Sequence, residues 1–418
     1  MLILHITPHL GGGIGTAYTG LLTYSPAEVK HQIVLLEEPL KPESVEKVKQ
    51  LGAEIIPLNA LNKALEEADI VQVNWWGHPL INQFLCCMPD IPVRLCGWFH
   101  INGSTYPYLR EPFLKPFNKL FFTSMLTFIQ HYDDNTHLIY GLGTPDEFFN
   151  IEKEPHSGFR VGYIGTMDFC KLHPNYISYC LSAARVADDI KFVFIGDDKN
   201  KDVLLEQARQ RGIDSRFEFH GYCNDIKTEL AKLDCLGYIL NPYHFGTTEN
   251  VIMEAMAAGV PVIALRQNTE QFIIKNRKNG LFPADIADYA ACIRLLRNNP
   301  IKRQQIISTA KQTVQTTFSA ADNYKQLYGQ YAVLMRCRKK SKSGVFSKII
   351  GRHPSEHLRY FTDNNSRKLL TDFSKEGNPA SLEYVFRGES KGSIRQYAKY
   401  FPNDEKLAEW VSILNRHE

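Results

Sequence analysis

At 418 residues the chain exceeds what one ordinary hydrophobic core serves, so two domains and an additional segment are expected. Its 44% hydrophobic and 22% charged residues are those of a globular protein and exclude a disordered or fibrous chain. A net charge of +3 is too small to indicate a nucleic-acid partner, although residues 336–352 hold seven basic side chains and no acidic one.

The N-terminus opens on an apolar, β-branched strand, residues 2–7, with no basic segment before it, so no secretory signal is expected. Runs at 32–36, 54–58, 70–74, 93–99, 120–123 and 138–140 also read as strands. Their near-continuous apolar character is that of a parallel sheet covered on both faces. No apolar run approaches the ~20 residues of a membrane span. The nine cysteines are scattered and mostly sit inside apolar runs, which fits a reducing compartment, so a cytoplasmic location is expected.

After the first strand comes PHLGGGIGT, a glycine-rich turn in which Gly12 and Gly13 leave the backbone open to a ligand. Trp75, Trp76 and Trp98 fall at strand ends, with His78, Tyr106 and Tyr108 close in sequence. Their faces could stack on an acceptor sugar or pack beneath loops. His100 follows the strand at 93–99, on the rim where α/β folds bind ligands; a single histidine there is more often structural than functional.

Residues 141–158 break the pattern with glycine, proline and charge, and read as a hinge between domains at 1–150 and 158–318. Strands at 159–164, 191–195, 217–219, 236–240 and 261–265 follow, so the economical architecture is α/β, with two consecutive doubly wound domains. The sequence TTEN at 247–250 precedes an apolar periodic run that Gly259-Val260-Pro261 stops. This spacing predicts a helix of about three turns beginning near Thr248, its N-terminus facing the crevice at the carboxyl edge of the sheet. Glu254 lies among Val251, Ile252, Met253, Ala255 and Met256, and a carboxylate in such company requires a partner. Ribose hydroxyls would serve, and so would a structural partner within the protein.

No Asp-x-Asp follows a strand, and Asp197-Asp198 lies in a Gly-Asp-Asp-Lys turn, so no metal is expected. Ser319-Ala-Ala-Asp322 resembles a capping box opening a long closing helix at 319–335. Residues 336–418 then read as a basic linker and a helical extension, whose last helix carries Leu407, Trp410, Val411 and Leu414 on one face. The basic run reads either as a peripheral contact with an anionic membrane or as a solvated linker.

The string YHFGTTENVIMEAMAAGVPVIA, residues 243–264, resembles the signature of the retaining GT-B glycosyltransferases of the family-4 type (glycosyl transferases group 1). There a Glu-x7-Glu motif ends in E-A-M-A-x-G-x-P-V. The resemblance implies two Rossmann-like domains facing a central cleft, the acceptor side first and the nucleotide-sugar side second. It implies that Glu254 holds the donor ribose, with Thr247, Thr248 and the backbone of Asn250 and Val251 near the diphosphate. The motif's first glutamate falls at Gly246; Glu249, three residues on, is the carboxylate left for a catalytic role.

Residues 164–174, IGTMDFCKLHP, resemble the family's G-R-L-x-x-x-K-G loop. Lys171 falls on the lysine that neutralises the diphosphate, and Thr166 stands where the arginine would be. Matching positions imply that His100 contacts the donor sugar and that Gly12 and Gly13 line the cleft. The implied activity is transfer of a hexose from a nucleotide-diphosphate sugar to a hydroxyl of a glycan, lipid-linked or other acceptor. It would proceed with retention, without metal or cofactor, in the synthesis of cell-surface or secreted glycans or glycoconjugates. A catalytically degenerate GT-B protein acting as binding partner or chaperone, and a nucleotide-sugar epimerase, remain as alternative readings.

Overall fold

A computed structural model describes residues 1–39, 42–223, 225–244, 246–368, 370 and 392–416. The chain forms two compact units, Met1–Gly143 with Ala321–Glu418, and Thr144–Ala320.

The first unit contains β1 (Leu2–Thr7), β2 (Lys30–Leu35), β3 (Glu54–Ile56), β4 (Ile70–Trp75), β5 (Leu95–Phe99), β6 (Lys119–Phe122) and β7 (Thr136–Leu138). These make one parallel sheet in the order β3-β2-β1-β4-β5-β6-β7. All six residues of β4 and all five of β5 are buried, as strands covered on both faces must be. The strand order reverses between β1 and β4, so the crevice outside their carboxyl ends is a topological switch point.

The second unit contains β8 (Phe159–Ile164), β9 (Ile190–Ile195), β10 (Phe217–Gly221), β11 (Cys235–Tyr238) and β12 (Val262–Ala264), in the parallel order β10-β9-β8-β11-β12. Its switch point lies between β8 and β11. Every strand expected from the apolar runs forms within a few residues of its expected place, because period and composition agree along each of them.

From Ala321 the chain returns to the first unit. Within the helix Ala320–Leu334, Tyr324 and Tyr328 donate to the carbonyls of Ala17 (3.0 Å) and Leu21 (2.8 Å), and Tyr331 donates to Gln72. The basic run is not a solvated linker. Lys340 bridges Val93 through a reciprocal backbone pair at 3.0 Å, and Lys339 and Lys342 donate to the carbonyls of Ala68 (2.7 Å) and Pro116 (2.5 Å). Arg336, Arg338, Lys340, Lys348 and Arg352 stay exposed.

Helices Val345–Ile350, Pro354–Tyr360, Ile394–Tyr400 and Glu405–Asn415 complete the described part of the extension. Leu407, Trp410 and Leu414 are buried from the last of these, while Val411 is half-buried. Residues 371–391, part of the expected extension, lie outside the described residues. No helix among the described residues is long and apolar enough to cross a membrane.

Candidate functional site

The residues singled out in the second unit meet at its switch point. β8 leads into the loop carrying Lys171, and β11 leads into the loop carrying Glu249. Asn241 donates its backbone N–H to the Lys171 carbonyl at 2.7 Å, and Leu172 bridges Leu240, so the two loops are tied together. Lys171 Nζ lies 3.1 Å from Glu249 Oε2, which also accepts the Tyr238 hydroxyl at 2.5 Å. Burial alone would raise the Glu249 carboxyl, but the Lys171 ammonium, His244 and the Tyr238 hydroxyl hold it below the usual carboxylate range. The site therefore contains an ionised carboxylate with a cation against it.

The helix expected to begin near Thr248 begins later and is shorter. It spans Asn250–Ala257, Glu249 is its N-cap residue, and no side chain caps it. Gly259, at φ +71°, ends it as expected. Thr247 and Thr248 do not cap, because the chain makes a left-handed turn at Glu249 (φ 47°, ψ 63°) and Thr248 is buried. That turn folds the carboxylate back over Gly246: a Cβ built there would lie 1.7 Å from Glu249 Oε1 and 2.9 Å from His244 Nδ1. A left-handed non-glycine residue costs on the order of 1–3 kcal/mol, which the contacts to Lys171 and Tyr238 offset. Gly246 and Glu249 are thus one feature, with the carboxylate occupying the space where a residue-246 side chain would start.

On the same helix Glu254 is half-buried, and burial pushes its carboxyl up to about 7. No described residue reaches that carboxyl with a hydrogen bond or an ion pair. Asn250 and Val251, both half-buried, form the first turn.

Sequence reasoning missed Tyr238, His244 and Glu270. His244 Nδ1 accepts the Gly246 N–H at 3.1 Å, and Nε2 faces Glu270 Oε1 at 3.4 Å, both side chains being buried. Burial alone would lower this histidine, but the Glu270 carboxylate, with Glu249 beyond it, raises it. His244, Glu249 and Glu270 are spaced as metal ligands could be. With Nδ1 accepting an N–H, the ring directs Nε2–H towards Glu270, a proton that a metal at Nε2 would have to displace. Glu270 lies just beyond the end of the motif at Ala264, where no spacing rule announces it.

Thr166, at the missing arginine's position, is exposed, but Lys199 from the loop after β9 pairs with Asp168 at 2.6 Å and brings a second cation to that loop. Asp197 accepts the Met167 N–H at 3.2 Å and Asp198 lies in a turn, so both serve loop structure.

In the first unit, Gly12 (φ 59°) precedes the helix Gly13–Thr23, which lacks a side-chain cap. Gly12 and Gly13 are exposed, with nothing within 4 Å of an added Cβ. His100 follows β5; its Nε2 lies 3.3 Å from Asn74 Oδ1 and its ring 4.5 Å from that of Trp98. Burial lowers it to about 3, so it is neutral at pH 7, and the proton it shares with Asn74 leaves Nδ1 as an acceptor.

The acceptor-stacking role for the tryptophans needs correction. Trp75 and Trp98 are fully buried: Trp75 packs on Phe99, Phe113 and Phe361 and donates to Asn82, and Trp98 donates to the Ile139 carbonyl. Neither ring has a face for a ligand, because both are strand residues of the central sheet rather than rim residues. Trp76, just past β4, is 6% exposed and meets the rings of His9 and His78 edge-on. Tyr106 is likewise buried, its hydroxyl donating to the Gly392 carbonyl at 2.5 Å.

His9, Glu37 and His78 form a second group with metal-like spacing. Both histidines accept a backbone N–H on Nδ1, from Gly11 (3.0 Å) and Leu80 (3.3 Å), so both direct Nε2–H towards Glu37 Oε1. Here too a metal at Nε2 would have to displace those protons.

Residues 146–313 match the family described as Glycosyl transferases group 1. Among curated relatives, the lipopolysaccharide core biosynthesis glycosyltransferase LpsE of Rhizobium meliloti is 29% identical over 139 residues, 32% of this chain and 40% of that protein. The glycogen synthase of Mycobacterium tuberculosis is 24% identical over 169 residues, 40% of this chain and 41% of that protein. The chain thus spans about two fifths of the length of these relatives. Among solved structures, Anabaena HepE in complex with UDP and glucose superposes with a TM-score of 0.66 at 17% identity, covering 80% of this chain and 100% of that one. The fold is GT-B, with a helical C-terminal region.

Proposed function

We propose that the protein is a retaining glycosyltransferase that takes a hexose from a nucleotide-diphosphate sugar and delivers it to a hydroxyl of a glycan or lipid-linked acceptor. The observation that carries this reading is the second-unit switch point, where Lys171 pairs with Glu249, the N-cap residue of the helix that carries Glu254. The family match covers the same residues, and HepE, of the same fold, was solved with UDP and glucose.

In this reading each group has a defined task. Lys171, together with the positive end of the helix Asn250–Ala257, offsets the charge of the leaving diphosphate. Thr247, Thr248, Asn250 and Val251 line its approach. Glu254 receives the ribose hydroxyls, which supply the donors its carboxylate lacks. Glu249, kept ionised by Lys171 and His244, accepts hydroxyls of the transferred sugar in place of the glutamate expected at 246. The acceptor of His100 at Nδ1, with Gly12 and Gly13, serves the sugar and the acceptor side. No metal is required in this scheme.

The relatives named for lipopolysaccharide core and for glycogen synthesis support a role in polysaccharide or glycoconjugate synthesis. The exposed arginines and lysines of 336–352 suit a peripheral contact with an anionic membrane. A degenerate, non-catalytic protein is the weaker reading, since Glu249 keeps a carboxylate in the loop beside Gly246.

The test is nucleotide release from a panel of nucleotide sugars with mixed glycoside acceptors, in EDTA, for the wild type and Glu254→Ala. Turnover in the wild type with a loss of at least a hundredfold in the variant is expected. Equal rates in the two proteins, or product formed from donor alone without acceptor, would overturn the proposal.

A further inference from the structure

Away from the Lys171 and Glu249 loops, at the amino ends of the second unit's strands, lies a cavity of about 440 Å³. Its wall includes Lys153 and His156 from the segment leading to β8, Asp234 just before β11, Gly259 after the Asn250–Ala257 helix, and Arg303 and Lys311 on the helix Pro300–Thr317. Lys153, Arg303 and Lys311 are cations, and Asp234 is the lone carboxylate lining it.

That carboxylate is already engaged: Asp234 Oδ2 accepts the Arg160 N–H at 2.8 Å and lies 3.6 Å from His156 Nε2. Lys153 donates to the carbonyls of Leu230 and Leu233, each at 3.1 Å, and Lys311 to that of Phe149 at 3.0 Å. Carbonyls satisfy ammonium protons but carry no full charge, so the positive excess remains. No carboxylate among the described residues lies within ion-pair distance of Arg303. The crowding registers on Lys153, which burial lowers to about 8, with Lys311 and Arg303 pushing the same way against Asp234.

A half-enclosed cavity within the usual size range of small-molecule sites (about 300–1,000 Å³), lined by three cations and one engaged carboxylate, is suited to a compact dianion. We propose that this cavity binds a phosphate monoester dianion, with Arg303 and Lys311 as its principal partners and Lys153 behind them. The proposal does not depend on the donor-site assignment.

The test is calorimetric titration of inorganic phosphate and of glucose 6-phosphate into the full chain, at ionic strength fixed with chloride. The proteins are the wild type, Arg303→Gln, Arg303→Lys and Lys171→Met, with unfolding midpoints checked for each. Saturable binding of one equivalent is expected in the wild type and in Lys171→Met, weakened at least tenfold by Arg303→Gln and largely retained by Arg303→Lys. Tighter binding of glucose 6-phosphate than of phosphate would identify a phosphorylated sugar as the occupant, and equal affinities would identify free phosphate. Absence of saturation by either ligand, equal binding in all four proteins, or loss in Lys171→Met with retention in Arg303→Gln would overturn it.

Discussion

Gly246→Ala is a small substitution with a large expected effect. Its Cβ would lie 1.7 Å from Glu249 Oε1, so the carboxylate must shift, weakening the contacts of its Oε2 to Lys171 at 3.1 Å and Tyr238 at 2.5 Å. A hydrogen bond to a charged group contributes about 1.5–3 kcal/mol, and breaking a buried ion pair from one side costs about 3–5 kcal/mol. Lys171 keeps partial exposure, so the lower end applies, and about 3 kcal/mol lost from the transition state is roughly a hundredfold in rate. Glu249→Gln should lose about as much, because it removes the same charge. The double variant Gly246→Ala with Glu249→Gln should therefore be no worse than either single variant. The assay is nucleotide release from the nucleotide sugar that the wild type turns over, with unfolding midpoints as the control for folding. Losses that multiply to about 10⁴-fold in the double variant would refute the coupling of Gly246 to Glu249. Gly246→Glu combined with Glu249→Gly, which moves the carboxylate back along the chain, should recover activity over Glu249→Gly alone.

Three further outcomes are expected. His31, His100 and His357 are lowered by burial to about 4, about 3 and about 4, so the unfolded chain binds more protons than the folded one between roughly pH 4 and 6.5. Stability of the first unit is then complete above pH 6.5 and falls by about 1 kcal/mol per pH unit per histidine as pH drops through that window. All four tryptophans lie in this unit, so urea unfolding followed by tryptophan fluorescence reports on it alone, and equal midpoints at pH 7 and pH 5 would contradict the assignment. Trp75→Ala should destabilise the same unit by about 3–5 kcal/mol while leaving the acceptor KM unchanged; the opposite pattern would return Trp75 to an acceptor site. Lys171→Met should weaken binding of a nucleoside diphosphate at least tenfold and leave the nucleoside untouched, and an equal effect on both ligands would remove Lys171 from the diphosphate.

The fold was legible because each strand is a short, buried, β-branched run and each break carries glycine or proline, as in Ile70–Trp75 and at Gly259. The Glu254 helix was legible for the same reason. Its start was not, because Thr248 and Thr247 have the composition of a cap, whereas the left-handed turn at Glu249 follows from a tertiary arrangement with Lys171 and Tyr238. Tryptophans at strand ends look alike in sequence whether they face a ligand or a core; Trp75 faces the core because helices close over that end of the sheet. The basic run looked solvated because sequence counts charge and does not show which carbonyls that charge will cap, as Lys339 and Lys342 do. His244 lies in the loop after β11 and Glu270 opens the short helix Glu270–Ile273, and only folding brings them together.

Glu254 is proposed to hold the nucleotide through its ionised carboxylate. With a value of about 7, roughly a tenth of it is ionised at pH 6 and nine-tenths at pH 8. The folded protein keeps this proton up to about pH 7, while the unfolded chain releases it near pH 4.5. The empty protein therefore loses stability as pH rises through that window, and a ligand that donates hydrogen bonds to the carboxylate gains affinity over the upper part of it. Calorimetric titration of a nucleotide sugar, whose diphosphate diester does not titrate in this range, should show affinity rising about tenfold from pH 6 to pH 8 in the wild type. Glu254→Gln should bind more weakly at pH 8 and show no such rise. A flat profile in the wild type, or equal affinity of the two proteins at pH 8, would contradict the account.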